Sequence, residues 1–103
     1  MRMKIVLLVA AVAAPLGAAA QGASTGRDLA ASCAMCHGTN GRGAVGYEPL
    51  AGMAKQDLVR KFTEFRSGAK PATVMHQISK GYTDPQIQLI ADYFRRRKSR
   101  GAP

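Results

Sequence analysis

The stretch SCAMCHG, residues 32–38, holds both cysteines of the chain and one of its two histidines. Cys33 and Cys36 stand three positions apart, and His37 follows directly. In a helical turn this spacing sets both sulfurs on one side, about one 5.4 Å pitch apart. Four chemistries use such a turn. A zinc site needs four ligands, and Cys-x-x-Cys is half of one; His76 and a carboxylate would have to complete it. A thioredoxin-like dithiol needs a βαβ context, and no segment here reads as a strand. A structural disulfide suits an oxidising compartment. The fourth pattern, Cys-x-x-C-H, is the attachment signature of c-type haem. Each thiol bonds one vinyl group, and the adjacent histidine supplies the proximal nitrogen. Only this chemistry uses all three residues, so the expected cofactor is one covalent haem c, with Cys33 and Cys36 as thioethers and His37 on the iron.

The sixth ligand separates a carrier from a catalyst. A methionine sulfur closes the iron and raises its potential, whereas an open position binds small ligands. Met35 lies inside the attachment turn and cannot reach the opposite face. Met53 follows a glycine-rich loop, and Met75 precedes the last helical segment. Wide separation lets the chain wrap the cofactor and return from the other side, which favours Met75. His76 beside it is read as an ordinary polar residue near the haem edge, with bis-histidine ligation as the minor option.

Outward from this motif, the N-terminus reads MRMKIVLLVAAVAAPLGAAA. Arg2 and Lys4 precede a short apolar run, Pro15 and Gly17 break it, and three alanines end it. This is the pattern of an export signal, residues 1–20, and the run is too short to span a bilayer. Cleavage after Ala20 would leave residues 21–103 as one small domain with a basic tail at 95–103, in the periplasm. A chain of that size buries little apolar surface alone and usually needs a disulfide, a metal or a cofactor. A haem supplies a large apolar body on which Leu29, Phe62, Phe65 and Ile87 can pack.

The formal charge is +9. Without Arg2 and Lys4, thirteen Lys and Arg stand against six acids, and the charge is +7. Five of the thirteen crowd the end: Arg95, Arg96, Arg97, Lys98 and Arg100. An exported protein meets little nucleic acid, so the charge reads either as attraction to an acidic protein partner or an anionic membrane surface, or equally as a solvated tail that serves only solubility.

Four segments read as helices, and the fold class is all-α with long loops. The first covers about residues 25–36, capped by Thr25 or Ser24, with Asp28 near its start and Leu29 and Cys33 on one face. Gly26 and Ala30 would let another helix approach closely. The second covers Lys55 to Ser67, with Leu58, Phe62 and Phe65 at helical spacing and Gly68 as its stop. A short third covers about residues 72–79. The last opens on TDPQ, residues 83–86, a capping box with proline in the first turn, and carries the stripe Ile87, Ile90, Ala91 and Phe94. Gly41, Gly43 and Gly46 spell G-x-G-x-x-G, but no strand precedes them and no βαβ unit fits, so they are read as turn glycines.

A helix into CAMCHG, then PLAG, a methionine and a capped last helix resembles class I cytochrome c over nearly all of residues 21–103. The stretch RSGAKPATVMHQISKGYTDPQIQLIADYF, residues 66–94, is similar to the cytochrome subunits of the flavocytochrome c sulfide dehydrogenase family. The c4 and c-553 cytochromes share a looser outline. The resemblance implies about four helices around one haem, and first and last helices crossing with Gly26 and Ala30 against Tyr93 or Phe94. It implies His37 and Met75 as axial ligands and the Pro49 carbonyl as hydrogen-bond acceptor for His37. It also implies an FAD-containing partner that oxidises sulfide and passes electrons to this chain. No catalytic residue is expected here, so an enzymatic label would belong to the complex. Some family members carry two haem domains in tandem and this chain has one, which keeps a free diffusible carrier as the alternative.

Overall fold

The structure is a computed structural model, and it describes residues 5–11 and 17–99. Among the described residues five α-helices follow in order: α1 (Gly17–Ala30), α2 (Ala34–His37), α3 (Lys55–Ser67), α4 (Met75–Lys80) and α5 (Asp84–Arg95). A 3-10 turn at Ala31–Cys33 joins α1 to α2, and a second covers Thr39–Gly41. Among the described residues there is no strand, only an isolated bridge between Ala44 and Tyr47. No helix of the described residues is long and apolar enough to cross a membrane.

α5 is the best specified element. The Thr83 hydroxyl accepts from the Gln86 N–H at 3.3 Å, and the Gln86 side chain accepts from the Thr83 N–H at 2.9 Å. Two of the orphan donors at the helix start are thereby satisfied. The stripe then buries completely: Ile87, Ile90, Ala91 and Phe94 are each at most 2 % exposed. Burying a side chain of the size of Ile or Phe contributes about 1.5–3 kcal/mol. They meet Ala30 of α1, Leu58 and Phe62 of α3, and Leu50 of the intervening loop in one core. α3 has the bounds its sequence predicts. It stops because Gly68 takes the left-handed conformation at φ 82°, with its N–H on the Phe65 carbonyl. Phe65 stays half-buried under the Lys70 ammonium rather than entering the core.

α1 departs from expectation. It begins at Gly17, so Ser24 and Thr25 lie inside the helix rather than capping it, and Asp28 stands in its last turn. Two causes act. The alanines at 18–20 have the highest helix propensity of any residue. Further on, α1 is clamped on α5: a Cβ added at Gly26 would sit 2.7 Å from the Leu89 carbonyl oxygen and 3.6 Å from Tyr93 Cβ. The helix also ends early, at Ala30, where the chain tightens into the 3-10 turn before α2. The junction after Ala20 therefore falls within α1. Of the apolar leader, residues 12–16 lie outside the described residues, and Ile5 to Val9 are 77–88 % exposed. The third helix starts at Met75, later than the residues 72–79 suggest, and runs to Lys80.

The glycine-rich segment is a loop of turns, as its residues predict. Gly41, Gly43 and Gly46 all have positive φ, and Asn40 joins them at φ 54°. Gly41 is buried beneath Phe94, and its carbonyl accepts from the N–H groups of Leu50 at 2.7 Å and Ala51 at 2.9 Å. These two hydrogen bonds close the loop and carry Leu50 into the core.

Candidate functional site

Cys33 closes the first 3-10 turn, and Cys36 and His37 belong to the single turn of α2. Cys33 is half-buried against the core and Cys36 is exposed. The two thiols are free and not joined to one another. Burial pushes the Cys33 thiol above the ordinary cysteine range, a Ser32 hydrogen bond opposing it. Among the described residues no three or more His, Cys, Asp and Glu side chains form a group that could hold a metal ion.

His37 is oriented through Nδ1, which lies 2.6 Å from the carbonyl oxygen of Glu48. Nδ1 donates in that bond, and Nε2 is left as the lone-pair nitrogen a metal takes. The expected acceptor was the Pro49 carbonyl, and the structure corrects it by one residue. The reason lies in peptide planarity. The Leu50 N–H points at Gly41, so across that trans peptide the Pro49 carbonyl faces the opposite way. The Glu48 carbonyl precedes a proline, whose nitrogen carries no hydrogen, and it turns inward to the imidazole. Residue 48 is held from its other side as well, because the Lys61 ammonium of α3 pairs with the Glu48 carboxylate. The Tyr47 ring stands edge-on to His37 at 5.9 Å between centroids, and the His37 carbonyl accepts from Gly43 at 2.7 Å. The imidazole is thus fixed by backbone, ring and loop together.

Met75 opens α4, half-buried against the same core. Met53 also packs there, from the loop before α3. His76 is half-buried, and its Nδ1 has no hydrogen-bond partner among the described residues. Near the core, Ser32 and Tyr82 share a hydrogen bond of 3.4 Å, and Tyr82 stands edge-on to Phe62. Sequence reasoning missed that pairing, as it missed Lys61 and Glu48: neither local periodicity nor a motif marks a contact between distant segments.

The donor set fits a covalent haem. Two unpaired thiols lie on one turn, an imidazole has one nitrogen engaged and the other available, and thioethers stand at the core edge. Apart from residues 5–9, Val45 and Tyr47, the large apolar side chains left exposed lie next to these groups in sequence. Met35 lies between the cysteines at 88 % exposure, and Val74 and Ile78 flank Met75 at 55 % and 40 %. Exposed apolar surface of this kind is what a flat macrocycle covers.

Comparison with known proteins agrees. The family model for cytochrome c matches residues 23–98. The cytochrome subunit of sulfide dehydrogenase from Chlorobaculum tepidum is 38 % identical over 71 residues, which are 69 % of this chain and 64 % of that protein. Cytochrome c-553 from Nitratidesulfovibrio vulgaris is 32 % identical over 98 residues, 88 % of this chain and 96 % of that one. Among solved structures, cytochrome c4 of Acidithiobacillus ferrooxidans superposes with a TM-score of 0.68 at 30 % identity, covering 72 % of this chain and 49 % of that one. The chain therefore spans less than two thirds of the sulfide dehydrogenase subunit and about half of the c4 structure.

Proposed function

The chain belongs to the cytochrome c family as a class I c-type cytochrome carrying electrons on one covalent haem c; from that premise we propose that it is exported to the periplasm and accepts electrons from an FAD-containing sulfide dehydrogenase. The observation that carries the partnership is the 38 % identity to a protein described as the cytochrome subunit of sulfide dehydrogenase. The export signal is residues 1–20. The exposure of Ile5 to Val9, which take no part in the core, supports it.

In this reading Cys33 and Cys36 would hold the group by two thioethers, and His37, through Nε2, and Met75 would serve as ligands to its iron. The bound haem supplies a metal that takes up and releases one electron at a time. The chain's own residues do the rest. The Glu48 carbonyl holds the proton on His37 Nδ1, which fixes the tautomer and makes the imidazole a stronger donor. Lys61 secures Glu48. The core of α1, α3 and α5 keeps the attachment turn and the Met75 segment in place. No residue of this chain oxidises sulfide, so that chemistry belongs to the flavoprotein. The net positive charge of the chain attracts an acidic partner, and salt weakens such steering.

A second reading is a free periplasmic carrier serving acidic redox proteins. The match to cytochrome c-553 supports it, because it spans 96 % of that single small protein. Encounters of such carriers bury less than about 1,200 Å², whereas a permanent subunit has a larger apolar contact that survives salt. Gentle low-salt purification from the native host, followed by an absorption spectrum, separates the two. Haem and flavin in fixed proportion, with reduction on adding sulfide, is the expected result. Haem without flavin sinks the subunit reading and leaves the free carrier.

A further inference from the structure

A cleft of about 220 Å³ opens where α1 crosses α5. Ser24 and Arg27 line it from one side, and Asp92, Tyr93, Arg96 and Arg97 from the other. Its lining thus holds three arginines and one aspartate. Asp92 is fully engaged: Arg95 lies 3.0 Å and Arg96 2.9 Å from its oxygens. Arg27 pairs only with its neighbour Asp28 among the described residues, through an exposed contact of 3.3 Å. Arg97 has no carboxylate partner among the described residues. Its guanidinium lies over the Tyr93 ring, 4.4 Å from the centroid, and its Nε is buried without a hydrogen-bond partner.

That last feature needs a reason, because a buried unpaired N–H bears its full desolvation cost. The fork is also already positioned. The Tyr93 ring lies beneath it, the Arg97 backbone N–H donates to the Phe94 carbonyl at 3.0 Å, and Arg42 Nε donates to the next carbonyl, that of Lys98, at 3.2 Å, which fixes the backbone that carries it. A guanidinium held in this way loses little further freedom when it takes a bidentate oxyanion. Nothing in the attachment site uses this cleft, whose residues lie outside 33–37 and 75.

We propose that the α1–α5 cleft binds a phosphate-class oxyanion on Arg97, with Arg27 and Arg96 as flanking charges and the Ser24 hydroxyl as a neutral donor. The oxyanion is either free phosphate or the phosphomonoester head group of an anionic lipid. The site is independent of which redox protein supplies the electrons.

The test uses the holo-cytochrome prepared without phosphate. Inorganic phosphate is titrated in by calorimetry at low ionic strength, with chloride at matched ionic strength as control. Saturable one-to-one binding is expected. Arg97→Lys, which keeps the charge and loses the fork, should weaken it by about tenfold or more. Arg27→Gln, at a site 65 % exposed and therefore safe for folding, should weaken it less. Arg60→Gln on α3 should leave it unchanged. Phosphate behaving as chloride does, or binding as tightly to Arg97→Lys, overturns the proposal. Sedimentation with phosphatidate vesicles then identifies the source. Vesicle binding that free phosphate competes away and Arg97→Lys loses assigns the head group; vesicle binding insensitive to both, with calorimetric binding intact, assigns the free ion.

Discussion

Replacing Gly41 by alanine tests how the loop after the attachment turn is fixed. Gly41 sits at φ 70°, and a Cβ there would lie 2.5 Å from Phe94 Cε1, 2.7 Å from Cδ1 and 3.2 Å from Leu50 Cβ. Two costs are expected. The left-handed backbone costs an alanine about 1–2 kcal/mol. Overpacking against Phe94, which is 1 % exposed and cannot swing into solvent, costs about 1–3 kcal/mol more. Gly68 separates the two, because it has the same sign of φ, 82°, with nothing within 4 Å of its added Cβ. Gly68→Ala should therefore show the backbone cost alone. Guanidinium unfolding of the holo-protein, followed by helix signal at 222 nm, gives both values. Gly41→Ala is expected to exceed Gly68→Ala by about 1–3 kcal/mol, a large share of the 5–15 kcal/mol that holds a domain together. Equal losses would refute the claim that Phe94 presses on this loop. Because the Gly41 carbonyl also anchors Leu50 and Ala51, the Gly41 variant alone should disturb the Glu48 carbonyl and hence the His37 environment.

Four further outcomes are expected. Met75→Ala should lower the reduction potential and let carbon monoxide bind the ferrous protein rapidly, while Met53→Ala should do neither; the reverse pattern in redox titration would move the axial role to Met53. Cys33→Ala with Cys36→Ala should abolish covalent haem on a denaturing gel stained for haem and leave a largely unfolded chain by circular dichroism, whereas a well-folded apoprotein would contradict the need for the cofactor in the core. Thr83→Ala removes half of the capping box and should cost about 1 kcal/mol in denaturant unfolding, with no change in the haem spectrum. Asp92 is held below the ordinary aspartate range, first by the Arg95 hydrogen bond, so its contribution is present above the unfolded-state pKa and fades as pH falls through the folded one. Asp92→Asn should thus destabilise the protein near pH 7, and its deficit against wild type in unfolding midpoints should shrink as pH falls below the ordinary aspartate range; a pH-independent deficit would exclude the ionic origin.

Local signals carried much of this protein. The Cys33–Cys36–His37 turn needs no distant partner to be recognised, since its three groups are adjacent in the chain. The capping box at Thr83 and Gln86 and the left-handed stop at Gly68 act within four residues, and the structure realises both as written. The stripe on α5 follows from helical period alone and is the core of the fold. Where a local signal competed with a tertiary contact, the contact won. Ser24 and Thr25 are good caps, yet they lie inside α1, because the alanines before them favour helix and α1 lies against α5 on both sides of them, at Gly22 near Leu89 and at Gly26 near Leu89 and Tyr93.

The sequence by itself therefore determined the cofactor chemistry, the all-helical class and the ends of α3 and the start of α5, because each rests on neighbours in the chain. Only the tertiary structure decided that Glu48 rather than Pro49 holds His37, since the direction of a carbonyl depends on where the next N–H is drawn, here to Gly41. It alone paired Lys61 with Glu48 and Ser32 with Tyr82. It also set Arg97 over Tyr93 with a buried nitrogen, which no reading of a run of basic residues contains. Composition gives the sign of a surface, but the packing of two helices decides which of its charges stand free of a partner.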